Sequence, residues 1–271
     1  MVEIKTKPQG AELISIKVDG KERLHDGKKD WNRNAPVLFP IVGQIKNGET
    51  KIEGKTYKMG QHGFARDMEF EEIAPNTYKL SYNEQTLEKY PYKFELIISH
   101  KIIDDNQVET KYIVKNIDNK KIYFGLGGHP AFKCDYRNAR IEFEQEENEI
   151  EIYQLLNGLI KENPEKRENF TNGKSIELNE NIFDNDAIII KKLKSNKITL
   201  IENGEEILEF DFQDFPILAI WSKKDANFLC IEPWFNTADT VNSNGIFKEK
   251  EGIIGLEPNR EFEAKYTVKM K

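Results

Sequence analysis

Tight-turn dipeptides recur along this chain at the ends of short alternating apolar runs, and that pairing points to an antiparallel β fold. One run carries Leu13, Ile14, Ile16 and Val18 and ends at Asp19-Gly20, a dipeptide suited to the positive backbone angles of a two-residue hairpin. Glu53-Gly54 and Asn203-Gly204 stand in the same position between other runs. Further on, Phe94, Leu96, Ile98 and His100 share one face of a long strand that turns around Asp104-Asp105-Asn106 into a second. Phe262, Ala264, Tyr266 and Val268 close the chain in period two. Helical signals are few: a turn or two ahead of Pro91, and residues 215–222, which begin near a proline but are rich in β-formers. No Pro-, Gly- or Ser-rich linker and no fixed-period repeat divides the chain. Residues 1–271 therefore read as one all-β domain, a large and mostly antiparallel structure with a concave face on which a ligand can sit.

Bulk properties exclude several functions. A formal net charge of −7 gives no net basic face for phosphate contacts, so nucleic acid is not an expected partner. Neither a signal-peptide pattern nor an apolar run of membrane-spanning length occurs, which predicts a cytoplasmic protein with no membrane partner. The two cysteines, Cys134 and Cys230, show no metal-ligand spacing and read as free thiols in a reducing compartment.

Three segments combine titratable groups with glycine, proline and aromatic residues: "QHGFAR" with His62 and Arg66, "FGLGGHPAFKC" with His129, and "FLCIEPWFNTAD" with Glu232. Glycines inside a strand pattern mark a bulge or a close approach to the backbone, and a proline ends the ladder. Gly125, Gly127, Gly128 and Pro130 thus leave His129 projecting from a strand end, either into a pocket or into hydrogen bonds within the core. Glu232 interrupts an otherwise apolar strand, so it needs a salt-bridge partner or a polar pocket. Trp234 and Phe235 beside it offer flat surfaces of the kind on which sugar rings stack. His2Glu sites hold zinc, but these residues lie on separate β-type segments, and no metal or other cofactor is expected. No nucleophile elbow, phosphate loop or dinucleotide fingerprint is present. Metal-free proton transfer between a histidine and a carboxylate facing each other across a pocket remains.

Taken in order, "NRNAPVLFPIVGQIKNGETKIEGKTY", "QHGFARDMEF", "GGHPAF", "FDNDAIII" and "CIEPWFNTAD" resemble the aldose 1-epimerase (galactose mutarotase-like) family, and within it the LacX-type branch. The resemblance covers nearly the whole chain and implies a galactose mutarotase-like β-supersandwich that acts, without cofactor, on a small monosaccharide such as galactose or glucose. It implies His129 as the acid at the ring oxygen, Glu232 as the base at the anomeric hydroxyl, and His62 as a group polarising the ring-oxygen region. The glycine after His62 would give the sugar room, and Arg66 would orient it or bind hydroxyls. Asp186 matches a substrate-hydroxyl acceptor, with Asp184 expected on the same face of a strand. Gln44 stands where many relatives carry arginine, and it can bind a neutral hydroxyl but offers no charged fork. The related hexose-6-phosphate epimerases share the "HGFAR"-like motif and bind phosphate with arginines, for which Arg33 and Arg66 are the candidates here. A sugar-binding module without catalysis is the remaining alternative. In the catalytic case kcat/KM should rise as Glu232 ionises and fall as His129 loses its proton.

Overall fold

A computed structural model describes residues 1–271. Its two large sheets are antiparallel, as the alternation requires. The first has nine strands, in the order Ser175–Glu177, Ala139–Phe143, Lys197–Glu202, Glu205–Asp211, Glu261–Met270, Gln107–Asn116, Phe94–Asp104, Thr77–Ser81 and Glu71–Ala74. The C-terminal strand Glu261–Met270 lies inside this sheet, paired on one side with Gln107–Asn116 and on the other with Glu205–Asp211. Its period-two face is buried through Ala264, Tyr266, Val268 and Met270. Half the sheet thus closes only once Glu261–Met270 is in place, a long-range arrangement that no local signal specifies.

Each of the three turn dipeptides forms the hairpin read from it. Val18 pairs Lys21, Ile52 pairs Lys55, and Glu202 pairs Glu205, with the two residues between at positive φ in every case. A fourth hairpin of the same kind, at Asn157-Gly158, joins Leu155–Leu156 to Leu159–Ile160. The one α-helix is a single turn, Glu84–Leu87, capped by Asn83, and residues 217–221 form a strand.

The second sheet builds the site. Its order is Glu151–Tyr153, Ile188–Lys191, Ile217–Trp221, Phe228–Trp234, Gly127–Gly128 and Val37–Leu38, with Ala131–Lys133 also pairing Phe228–Trp234. All seven residues of Phe228–Trp234 are buried. Apolar side chains from both large sheets merge into one hydrophobic cluster, while the second sheet's other face sets Glu232 between two smaller apolar clusters, one with Ile189, Ala219 and Trp234 and one with Ala131, Phe228 and Cys230. No helix is long and apolar enough to cross a membrane.

Candidate active site

Strand register brings the two strongest candidates together. Gly127 opposes Trp234 and Ala131 opposes Cys230, so His129, between them, falls opposite Glu232. Pro130 removes a ladder donor without shifting that register. The pair are therefore neighbours on adjacent strands, not residues on facing walls, and His129 Nε2 lies 3.2 Å from Glu232 Oε2. Glycines 125, 127 and 128 are required by the protein's own packing: a Cβ there would strike Asn236, Trp234 Cδ1 and Tyr112 Oη respectively. None of them lines the cavity.

The cavity encloses about 330 Å³, at the small end of the roughly 300–1,000 Å³ typical of ligand pockets. That size suits one small molecule better than an extended chain. A wider groove of about 620 Å³ beside Lys28 and Lys133 is lined almost wholly by polar and charged groups; its one histidine, His25, has only the half-exposed Asp26 as a carboxylate neighbour, at 4.0 Å, and no tryptophan lines it. His62, Arg66, His129, Asp186, Glu232 and Trp234 all face the smaller cavity. Gln44 does not; it is exposed, and its Oε1 packs against Gly158 of the cavity wall. Phe235 turns away to pack on Phe215 and Phe262. Asp184 and Asp186 do not share a strand face, because the strand begins at Ile188 and Asp186 has a φ of 69° in the turn before it. Asp186 reaches the cavity, whereas Asp184 lies 3.3 Å from Lys224 at the surface.

His62 is fixed by its backbone. Its Nδ1 accepts the amide N–H of Gly43 at 3.1 Å, so the neutral ring carries its proton on Nε2. Burial, then the charges of His129, Arg66 and Arg33, hold its pKa well below the usual value. The glycine beside it makes no room for a ligand: Gly63 has a φ of 75°, and a Cβ there would lie 2.2 Å from Phe39 O.

Charge in the cavity is tuned by burial. Glu232 is only 1% exposed, and its pKa is pushed well above the usual carboxylate range by burial and by Asp186, against the pull of Arg66. His129 is pushed down to about 3 by burial and by Arg66 and Arg33. The neutral forms of both are thereby favoured, so a proton shared by the pair rests on the carboxyl. Despite the 3.2 Å approach, Glu232 Oε2 has no well-aligned hydrogen bond, and His129 Nδ1 and Trp234 Nε1 are also buried without partners. Three orphaned polar atoms in one cavity are unusual in a native interior. They mark a place where a polar partner is missing from the protein's own hydrogen bonding.

The family model of aldose 1-epimerases matches residues 1–254. The chain is 31% identical to the chromosomal LacX protein of Lactococcus lactis subsp. lactis, with 94% of this chain and 92% of that one covered.

The chain belongs to the aldose 1-epimerase family.

A solved galactose mutarotase-related enzyme of Lactobacillus acidophilus superposes with a TM-score of 0.89 at 30% identity, covering 100% of this chain and 95% of its own. A galactose mutarotase-like protein of Lactobacillus casei does so with a TM-score of 0.89 at 27% identity, covering 100% and 97%. The β-sandwich and the isomerase class read from the sequence stand with these relatives, and family membership supports a sugar as substrate.

Sequence reasoning did not anticipate several features of this cavity. Trp31 stacks on His129 with ring centroids 4.8 Å apart, and Trp221 meets the same ring edge-on at 6.0 Å. Together with Trp234, all three tryptophans of the chain line this one cavity. Their rarity was a usable signal. The Asn157-Gly158 dipeptide was another, since its hairpin supplies Leu155 and Gly158 to the wall.

Proposed function

We propose that this protein is a cofactor-independent aldose 1-epimerase acting on a free aldohexose such as galactose or glucose. The observation that carries the reading is the 3.2 Å contact between His129 Nε2 and Glu232 Oε2 inside a sugar-sized cavity, with both residues short of hydrogen-bonding partners. One shared proton is enough for the reaction. With it on Nε2, the imidazolium protonates the ring oxygen while the carboxylate takes the proton of the anomeric hydroxyl. The C1–O5 bond breaks, C1 becomes an aldehyde carbon, and the proton removed from O1 now sits on Glu232. That state, protonated Glu232 beside neutral His129, is the one burial favours, so the open-chain aldose meets a matched pair. Rotation about C1–C2 and the reverse transfers close the ring to the other anomer. His62 Nε2–H is the donor that holds the ring-oxygen region, Asp186 and Arg66 bind hydroxyls, and Trp234 and Trp31 supply flat apolar surfaces.

A phosphorylated hexose is the second reading, because Arg33 and Arg66 both face the cavity. Charge disfavours it. Arg33 is held by Asp67 at 2.7 Å, Arg66 lies 4.0 Å from the same carboxylate, and Asp186 adds a further carboxylate to the cavity wall, so with Glu232 protonated the two cations face two anions. A neutral sugar matches that balance better than a phosphate dianion.

Polarimetric relaxation of freshly dissolved α-D-galactose and α-D-glucose, with wild type beside Glu232→Gln, tests the proposal. Acceleration by wild type that disappears in the variant is expected. Acceleration only of hexose 6-phosphates would transfer the assignment to the second reading, and acceleration of neither would leave a sugar-binding module.

A further inference from the structure

Beneath the histidine–glutamate pair lies a group that proton transfer does not use. Cys230 is two residues before Glu232 on the strand Phe228–Trp234, hence on the same face, and is fully buried opposite Ala131. Its Sγ, a ring nitrogen of His129 and a carboxylate oxygen of Glu232 all lie within 4.8 Å of one another.

We infer that His129, Cys230 and Glu232 form a site for a thiophilic divalent cation of the zinc class, and that the ion inhibits by occupying the atoms the sugar needs. Imidazole nitrogen, thiolate sulfur and carboxylate oxygen are each zinc ligands, at about 2.0–2.3 Å. Two ligands on one tetrahedral ion at such distances stand about 3.3 Å apart. The 3.2 Å between His129 Nε2 and Glu232 Oε2 is already that spacing. A second observation supports the assignment: Glu232 Oε2, one of the two atoms at that spacing, is orphaned on a side chain only 1% exposed. On binding, the thiol proton and the carboxyl proton pass to solvent, and no oxidation or group transfer is involved.

The metal site stands on ligand geometry alone, and only its inhibitory effect rests on the proposed sugar chemistry. The experiment keeps the two apart. Co2+, which takes zinc's place and reports its ligands by colour, is titrated into Cys134→Ser, where Cys230 is the sole thiol. A thiolate-to-cobalt charge-transfer band that saturates at one equivalent and is bleached by Zn2+ is expected. Glu232→Gln in the same background, with its fold checked by circular dichroism, should weaken Co2+ binding at least tenfold, since even outer-shell losses cost that much. Absence of the band, or an affinity unchanged by Glu232→Gln, overturns the site. Polarimetry with added Zn2+ then reads inhibition separately: loss of mutarotation that excess sugar reverses is expected, and full activity of the zinc-loaded protein overturns the inhibitory role.

Discussion

Glu147 and Glu232 are both buried glutamates, at 0% and 1% exposure, but they stand in opposite surroundings. Glu147 accepts the backbone N–H of Lys194 at 3.0 Å and that of Ser195 at 2.6 Å, and so fastens one loop to another. Glu232 has an orphaned oxygen and faces a cavity. Two histidines divide the same way. His100 has both ring nitrogens occupied, by Thr110 Oγ1 at 3.0 Å and Ala11 O at 2.9 Å, while His129 leaves Nδ1 free. Residue type and burial are equal across each pair, so only hydrogen-bond satisfaction separates a structural group from one reserved for a ligand.

Exchanging glutamate for glutamine in both places should break the comparison most visibly. Glu232→Gln should lower kcat by about 10²–10⁴-fold, the usual weight of a general acid–base group. The same change should leave stability at neutral pH unharmed or improved. Because the folded pKa of Glu232 is raised, the wild-type carboxyl progressively destabilises the fold as pH climbs above the unfolded value, and the amide has no proton to lose. Glu147→Gln should do the reverse, costing about 1–3 kcal/mol through amide hydrogens turned against backbone donors while kcat stays put. Urea midpoints beside polarimetric rates decide it; a Glu147→Gln enzyme as dead as Glu232→Gln would end the distinction.

Acid should expose the buried imidazoles. His100 is held down to about 4 and His129 to about 3, chiefly by burial, against an ordinary value of 6.5. In both the neutral ring is favoured by folding, so their stability is intact above about 6.5 and drains away as pH falls toward the folded values. The loss from His100 alone should reach on the order of 3 kcal/mol by pH 4. Thermal melts at falling pH would show it, and His100→Gln should flatten the slope; a melting temperature constant from pH 7 to 4 would contradict it.

The same shifts revise the pH–rate profile. Reading the residue types alone assigns the acid limb to ionisation of Glu232 and the alkaline limb to His129. Burial raises the carboxyl and lowers the imidazole, which exchanges the limbs: activity needs one proton on the pair, gained twice only at the low value of His129 and lost only above the raised value of Glu232. A plateau through mildly acid pH is expected. Arg66→Gln removes a cation that depresses both groups, so both limbs should move to higher pH. Limbs that move apart or downward would show that Arg66 does not set the field at the pair.

Much of this was legible in the residues. Alternation and three turn dipeptides gave the sheets, because hairpin geometry is local. His129, Glu232 and His62 were legible because a polar group between glycine, proline and apolar residues has no solvent-facing alternative. What escaped was long-range. Trp31 comes from a loop nearly a hundred residues before the histidine it stacks on, and Trp221 looks like any aromatic on an apolar strand. The glycines were noticed for the wrong reason, since Asn236, Trp234, Tyr112 and Phe39 crowd them and no ligand needs the space. Adjacency of His129 and Glu232 was hidden as well, for register depends on the pairing of two strands that Pro130 interrupts.

The smallest expected effect concerns Glu12, a third buried glutamate that is structural by contact but close to the site by connection. Its Oε1 accepts the N–H groups of Asn34 at 2.7 Å and Ala35 at 3.1 Å, and its Oε2 meets Lys7 Nζ at 2.6 Å. Asn34 in turn donates to His25 O at 2.6 Å, and His25 Nε2 bonds Trp31 O at 2.8 Å. The loop that brings Trp31 and Arg33 to the cavity therefore hangs on Glu12. Glu12→Gln keeps one acceptor but turns amide hydrogens toward an ammonium, so it should cost about 1–3 kcal/mol and loosen that loop. Because Trp31 packs on His129 without moving a proton, KM should rise a few-fold with kcat nearly unchanged, which Trp31→Ala should reproduce. A fall in kcat with KM unchanged, in either variant, would mean that Trp31 acts on the protonation of His129 and belongs with Glu232.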